Sequence, residues 1–131
     1  MKDKRYVLAV DGGGTKTEGV LADLRGATVA RRIRGPSNYQ ATGAEAALAV
    51  WADVLSGLLE EVGAEATSLA AAGFGLSGWD RPRDEDNIRA LVERLALPCP
   101  VWMDNDTYLI LRAGTPDGVG VGIVSGTGAN C

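Results

Sequence analysis

Residues 11–17, Asp-Gly-Gly-Gly-Thr-Lys-Thr, gather a carboxylate, a glycine triplet, two hydroxyls and an amine into one short stretch. Those groups suit phosphate. Gly12, Gly13 and Gly14 can take backbone angles closed to other residues and let a ligand approach the main chain. Successive N–H groups turned inward make an anion-binding concavity. Thr15 and Thr17 add hydroxyl donors, Lys16 adds a positive charge, and Asp11 can hold Mg²⁺ through water. A second loop with the same logic, Gly126-Thr127-Gly128, follows Ser125. Between the two loops stands Asp104-Asn105-Asp106. Asp106 can accept the proton of a substrate hydroxyl as it attacks phosphorus. Plainer readings stay open: the first loop as a tight turn whose glycines serve only geometry, and Asp106 as the N-cap of a following helix.

What the chain lacks narrows the chemistry further. It has no histidine, which removes a Ser-His-Asp or Cys-His apparatus and any His-ligated metal site from this segment. Carboxylates, hydroxyls, lysine and backbone amides remain, the groups used in Mg²⁺-dependent phosphoryl transfer. A net charge of −4 leaves no electrostatic footprint for nucleic acid. No apolar run approaches the ~20 residues that span a bilayer, and Met1 to Arg5 lead into a strand, so no membrane segment or signal peptide is expected. The two cysteines, Cys99 and Cys131, lie far apart and make no disulfide framework, which points to a reducing cytoplasm.

Around these loops the elements can be placed in order. Tyr6 to Val10 reads as a buried strand running into Asp11, and Gly19 to Ala22 as its hairpin partner. Too few residues separate the glycines from the turn at Asp23 for a helix to follow. That excludes both the P-loop, which also needs a glycine where Thr15 stands, and the dinucleotide fingerprint, whose third glycine is replaced by Thr17. Ala27 to Arg34 reads as a third strand with arginines guarding an edge. Pro36 to Gln40 reads as a polar loop. Leu48, Trp51, Leu55, Leu58 and Val62 then form the stripe of a helix over 44–62, with Trp51 in the core, Gly57 weakening it and Gly63 ending it.

Leu69 to Leu76 reads as a buried strand ending at Ser77-Gly78. A helix follows, capped by Asp80, with a solvated charged start and a core face of Ile88, Leu91, Val92 and Leu95. Val101 to Met103 is a short strand, 107–113 a helix and 119–124 a strand. The order β-β-β-α-β-α-β-α-β implies an α/β domain with a mixed sheet: an antiparallel meander of three strands, then parallel strands, with helices on the faces. Ligands of such sheets collect at the carboxyl ends of the strands. Asp11, Ser77, Asp104-Asn105-Asp106 and Ser125-Gly-Thr-Gly all fall there.

The Asp-Gly-Gly-Gly-Thr-Lys-Thr loop, the Gly75-Leu-Ser-Gly78 strand end, Asn105-Asp106 and the run from Gly114 to Cys131 resemble, in order, the motifs of one superfamily. It is that of actin, hexokinase and the sugar kinases, and the wording looks most like its N-acetylglucosamine kinase and BadF/BadG ATPase branch. The resemblance implies a ribonuclease-H-like lobe, with ATP and Mg²⁺ in an interdomain cleft, and phosphorylation of an amino sugar. It puts Thr15 and Thr127 at ATP-contacting positions. Asn38, Asp106, Ala129 and Asn130 fall at sugar-contacting ones, with Asp106 as general base; Ser77 joins them by its place at a strand end. Such enzymes have two lobes, so 1–117 is expected to be the N-terminal lobe and 118–131 the first strand and phosphate loop of a second. The segment alone is expected to fold without kinase activity. An exposed strand over 119–124 would pair across a dimer contact or pack irregularly on its own lobe, which leaves a homodimer open. The alternatives are a nucleotide-switch ATPase of the kind that activates 2-hydroxyacyl-CoA dehydratases, whose iron–sulfur cluster would need Cys99 and Cys131, and a non-catalytic sugar-sensing module.

Overall fold

The computed structural model describes residues 4–106 together with the backbone of 124–125 and 129–130. The helix expected over 107–113, most of the strand expected over 119–124, the boundary near 117 and Cys131 lie outside the described residues. Strands β1 (Tyr6–Gly12), β2 (Thr17–Asp23) and β3 (Thr28–Arg34) form the expected meander, antiparallel throughout. The turn between β2 and β3 is closed by Asp23, whose Oδ1 accepts the Arg25 and Ala27 N–H groups at 2.9 Å each.

The chain then crosses over twice. Helix α2 (Ala44–Glu61) leads to β4 (Leu69–Leu76), which pairs parallel to β1, and α3 (Pro82–Glu93) leads to β5 (Val101–Asn105), parallel to β4. The sheet order is β3-β2-β1-β4-β5, so arginine-rich β3 is an edge. A separate antiparallel pair joins β6 (Val124–Ser125) to β7 (Ala129–Asn130).

Strand alternation decides which face is covered. Leu8 and Val10 of β1, Leu21 of β2, and Phe74 and Leu76 of β4 are buried in one cluster with Trp51, Val54 and Leu58 of α2 and Ile88 and Leu91 of α3. Trp51 meets Phe74 edge-on, with ring centroids 6.4 Å apart, and is core as expected. The intervening positions face the other way. There Ala9 and Asp11 are exposed, as are Trp102 (49%) and Ile33 (44%). Both described crossover helices thus pack into the same core cluster.

Four local readings need correction. The inner line of α2 runs through Ala47, Trp51, Val54 and Leu58, and Leu48, Leu55 and Val62 sit at its half-buried margins. Gly19 explains the shift: a Cβ there would collide with Val54 and Leu58, so its absence lets the helix settle onto β2. Gly57, expected only to weaken the helix, has a packing role, because the Arg32 guanidinium lies where its Cβ would be. Residues 39–42 of the expected polar loop form a single-turn helix, α1 (Tyr39–Thr42), capped by Asn38. Finally, Asp80 does not cap α3. Its first turn is closed from within by Asp84, which is buried where a solvated charge was expected.

Candidate active site at the carboxyl ends of the parallel strands

Because β1, β4 and β5 are parallel neighbours, their carboxyl ends meet at one edge of the sheet. Asp11 pairs with Gly75 and Gly75 with Asp104; one step on, Gly12 pairs with Leu76 and Leu76 with Asn105. Asp11 and Asp104 therefore lie inside strands, not beyond them as the sequence suggested, and occupy the open face on either side of a glycine.

Beyond that row the ladder continues into the loops. The Ser77 N–H donates to Gly12 O at 2.8 Å and the Asp106 N–H to Leu76 O at 3.3 Å. Asn105, 7% exposed, donates through Nδ2 to Trp79 O at 2.8 Å. Asn38 accepts the Gln40 N–H at 3.0 Å on its Oδ1, and that oxygen would lie 2.6 Å from a Cβ at Gly78. Gly78 has φ +85°, so only glycine suits this turn on both counts. Asp11, Asn38, Ser77 and Asp106 are thus drawn to one end of the sheet. The Ser77 Oγ is buried and has no partner among the described residues. Buried hydroxyls seldom stay unpaired, so this one is a candidate for a ligand or water.

The glycine loop is real, but its glycines work differently from expectation. None of Gly12, Gly13 and Gly14 has a positive φ. What Gly12 and Gly13 supply is room: a Cβ on Gly12 would stand 2.7 Å from both Leu76 Cδ2 and Ser37 Oγ, and one on Gly13 2.9 Å from Lys16 O. The Gly13 N–H donates to Lys16 O at 2.9 Å, leaving Gly14 and Thr15 as the tip of a two-residue turn. Gly14, Thr15 and Lys16 are exposed.

Thr17 is corrected outright. Its side chain is fully buried, and its hydroxyl is within 2.8 Å of Gly35 O and 2.6 Å of Ser37 Oγ. With the Ser37 N–H donating to Gly13 O at 3.0 Å, Thr17 anchors the loop and does not face a ligand.

Electrostatics mark the same end. Asp11 holds its proton above the ordinary carboxylate range, chiefly through desolvation, then through the Asp106 and Glu18 charges, against the pull of Lys16. Glu18 itself is held low by its 2.7 Å pair with Arg31. A divalent cation would relieve the repulsion between Asp11 and Asp106, so these residues fit Mg²⁺, although no group of three or more His, Cys, Asp or Glu side chains that could hold a metal exists among the described residues. Of the second loop, only the flanking β6–β7 pairing is described. Ala129 and Asn130 are placed as backbone, and Gly126, Thr127 and Gly128 lie outside the described residues.

Sequence reasoning missed one cluster beside the site: Tyr39, Gln40 and Asp84. Asp84, 2% exposed, accepts the Tyr39 hydroxyl and the Gln40 amide (3.1 Å) on Oδ1, and the Asp80 and Arg81 N–H groups (3.0 and 2.8 Å) on Oδ2. These bonds, led by the one from Tyr39, bring its pKa down to about 2 despite burial. An available signal was the position of Asp84 in the first helical turn, two residues after Pro82, where acidic side chains close caps.

Comparison with known proteins bears on the whole chain. The profile of the BadF/BadG/BcrA/BcrD ATPase family matches residues 8–131. An N-acetylmuramic acid/N-acetylglucosamine kinase of Clostridium acetobutylicum is 28% identical over 97% of the chain and 42% of its own length. An N-acetyl-D-glucosamine kinase of Dictyostelium discoideum is 31% identical, over 95% of the chain and 42% of its own length. The chain therefore spans less than half of either relative. Among solved structures, a Chromobacterium violaceum protein provisionally named an N-acetylglucosamine kinase superposes with a TM-score of 0.67. It is 24% identical and covers 88% of this chain and 39% of its own. At that identity the likeness speaks to the fold.

Proposed function

Because this chain belongs to the BadF/BadG/BcrA/BcrD ATPase family, we propose that it is the N-terminal lobe of an ATP-dependent kinase that phosphorylates a hydroxyl of an amino sugar such as N-acetylglucosamine. The observation that carries this reading is the convergence of Asp106, Asp11, Asn38 and the Ser77 hydroxyl, unpartnered among the described residues, at the carboxyl ends of the parallel strands. Similarity to two N-acetylglucosamine kinases supports an amino sugar as the substrate class. In this reading residues 1–117 form the lobe and 118–131 begin a second one.

Each residue then has a task. Asp106 accepts the proton of the sugar hydroxyl as the oxygen attacks phosphorus. Asn38 and Ser77 orient the sugar, joined by Ala129 and Asn130 from the second lobe. The exposed tip at Gly14, Thr15 and Lys16 presents amides, a hydroxyl and a positive charge to the phosphates, and Gly126, Thr127 and Gly128 are assigned the same task by their sequence. Asp11 would hold Mg²⁺, and Gly12 and Gly13 give the loop its close seat, Gly12 against Leu76 and Ser37. Magnesium, when bound, supplies charge neutralisation for the phosphates.

Nothing among the described residues favours the iron–sulfur activator. Cys99 precedes β5, at the opposite end from the site, and desolvation raises its thiol pKa, which disfavours the thiolate a cluster needs. The test is a coupled ADP-release assay on the full-length protein with N-acetylglucosamine, glucosamine and related sugars. Sugar-stimulated turnover is expected; its absence across the panel would overturn the kinase reading, and binding without turnover would favour a sugar sensor.

A further inference from the structure

Helix α1 is a single turn with no fully buried residue, and half-buried Tyr39 is its contact with the core, too little to fix a turn this short by itself. Yet it carries, at its cap, the side chain assigned to the sugar. Something else must fix it. The Asp84 carboxylate joins two sets of donors. The Asp80 and Arg81 N–H groups come from the turn after Gly78, and the Tyr39 hydroxyl and Gln40 amide come from α1. Gln40 Nε2 also reaches Gly78 O at 2.8 Å, and Asn87 Nδ2 approaches the Tyr39 hydroxyl at 3.4 Å. Closing the first turn of α3 needs only the Arg81 N–H. The other three donors exceed that need.

We propose that Asp84 is a positioning residue for sugar binding: through Tyr39 and Gln40 it clamps α1 to the Gly78 turn and so aims the Asn38 amide at the substrate. This rests on the kinase reading above. The clamp also determines what Asn38 offers. Its Oδ1 already accepts the Gln40 N–H, so the two Nδ2 donors and at most one lone pair remain for the ligand. The group recognised first is therefore an acceptor oxygen, a sugar hydroxyl or an acyl carbonyl.

Tyr39→Phe removes one donor from a charged acceptor and keeps the ring, so it carries the test even where Asp84→Asn fails to fold. In the full-length enzyme, KM for the amino sugar should rise about tenfold, the scale of a lost hydrogen bond to a charged group. Turnover at saturating sugar and KM for ATP should stay unchanged. Amide exchange should accelerate over 38–42 and 78–81 and not over 7–10. An unchanged sugar KM, or a loss shared equally with ATP, would overturn the positioning role, as would exchange that does not change in those two segments. If the wild-type enzyme turns over no amino sugar, the kinase reading falls by itself. Exchange then still decides the clamp: acceleration confined to 38–42 and 78–81 supports it, and equal exchange overturns it.

Discussion

The Asp84 carboxylate is enclosed and receives four hydrogen bonds, whereas the Asp11 carboxylate stands at the open end of the sheet near Asp106 and Glu18 with Lys16 as its counter-charge. Fold and site treat the same functional group in opposite ways. Asp84 is more acidic than an ordinary aspartate because every nearby donor serves its ionised form. Asp11 is less acidic, although the residue is exposed, because the sheet end partly desolvates its carboxylate and the Asp106 and Glu18 charges repel it. A satisfied carboxylate works as a joint. A crowded one favours a bound cation or proton, and carboxylates perturbed in this way cluster at functional sites.

The largest expected effect belongs to the crowded end. Asp106→Asn in the full-length enzyme should lower turnover by about 10²–10⁴ while sugar binding and melting temperature hold, since general-base assistance is lost but size and polarity are kept. Turnover near wild type would remove Asp106 from the mechanism and weaken the contrast at its root.

Next comes the seat of the glycine loop. Gly12→Ala puts a methyl 2.7 Å from Leu76 Cδ2 and Ser37 Oγ. Such overpacking should cost about 1–3 kcal/mol in chemical denaturation.

A pH series on the two carboxylates tests the comparison directly. With a folded pKa near 2 against 3.8 unfolded, Asp84 stabilises the fold fully above about pH 4, and that stability is lost as pH falls towards 2. Asp84→Asn should therefore lower the melting temperature at pH 7, and the gap should close on acidification. Asp11 has the reverse sign: its folded pKa is raised, so its ionised form destabilises the fold at pH 7, and the penalty disappears below about pH 4. Asp11→Asn should raise the melting temperature at pH 7 and not at low pH. Shifts of the same sign for both variants would end the distinction.

The smallest effect is a control. Glu45 also has a lowered pKa, through its 2.5 Å bond to Arg94, but both side chains are exposed. Glu45→Gln should leave the melting temperature unchanged, because solvent screens such pairs.

The sheet was readable because its strands carry periodic, local signals: the Tyr6–Val10 run, the turn at Asp23, the small apolar Leu69–Leu76 stretch. Helix α1 carries none, since one turn is too short for a period to repeat. The Asp84 cluster was hidden for another reason, as its bonds to Tyr39 and Gln40 join residues far apart in the chain. Thr17 was misjudged although a signal existed. It shares strand parity with Gly19 and Leu21, which face the core. The glycine triplet was legible as a loop, but the need for space around Gly12 depends on Leu76 and Ser37, which only the fold brings near. Of the site itself, composition and strand-end position brought out Asp11, Ser77 and Asp106, and Asn38 came from the resemblance alone.

The central place of β1 also bears on how the chain reaches this state. Its antiparallel partner β2 follows after a two-residue turn, and such hairpins form in about 1–10 μs. Its other neighbour, β4, arrives only after β3 and all of α2 have been laid down. Until then Val7 to Val10 present an apolar edge with unpaired amides, and parallel pairing of this kind is slow because a long loop must close first. During synthesis that interval is when one nascent chain is most open to pairing with another, so conditions that delay the docking of β4 should favour aggregation through β1 before any folded surface is lost.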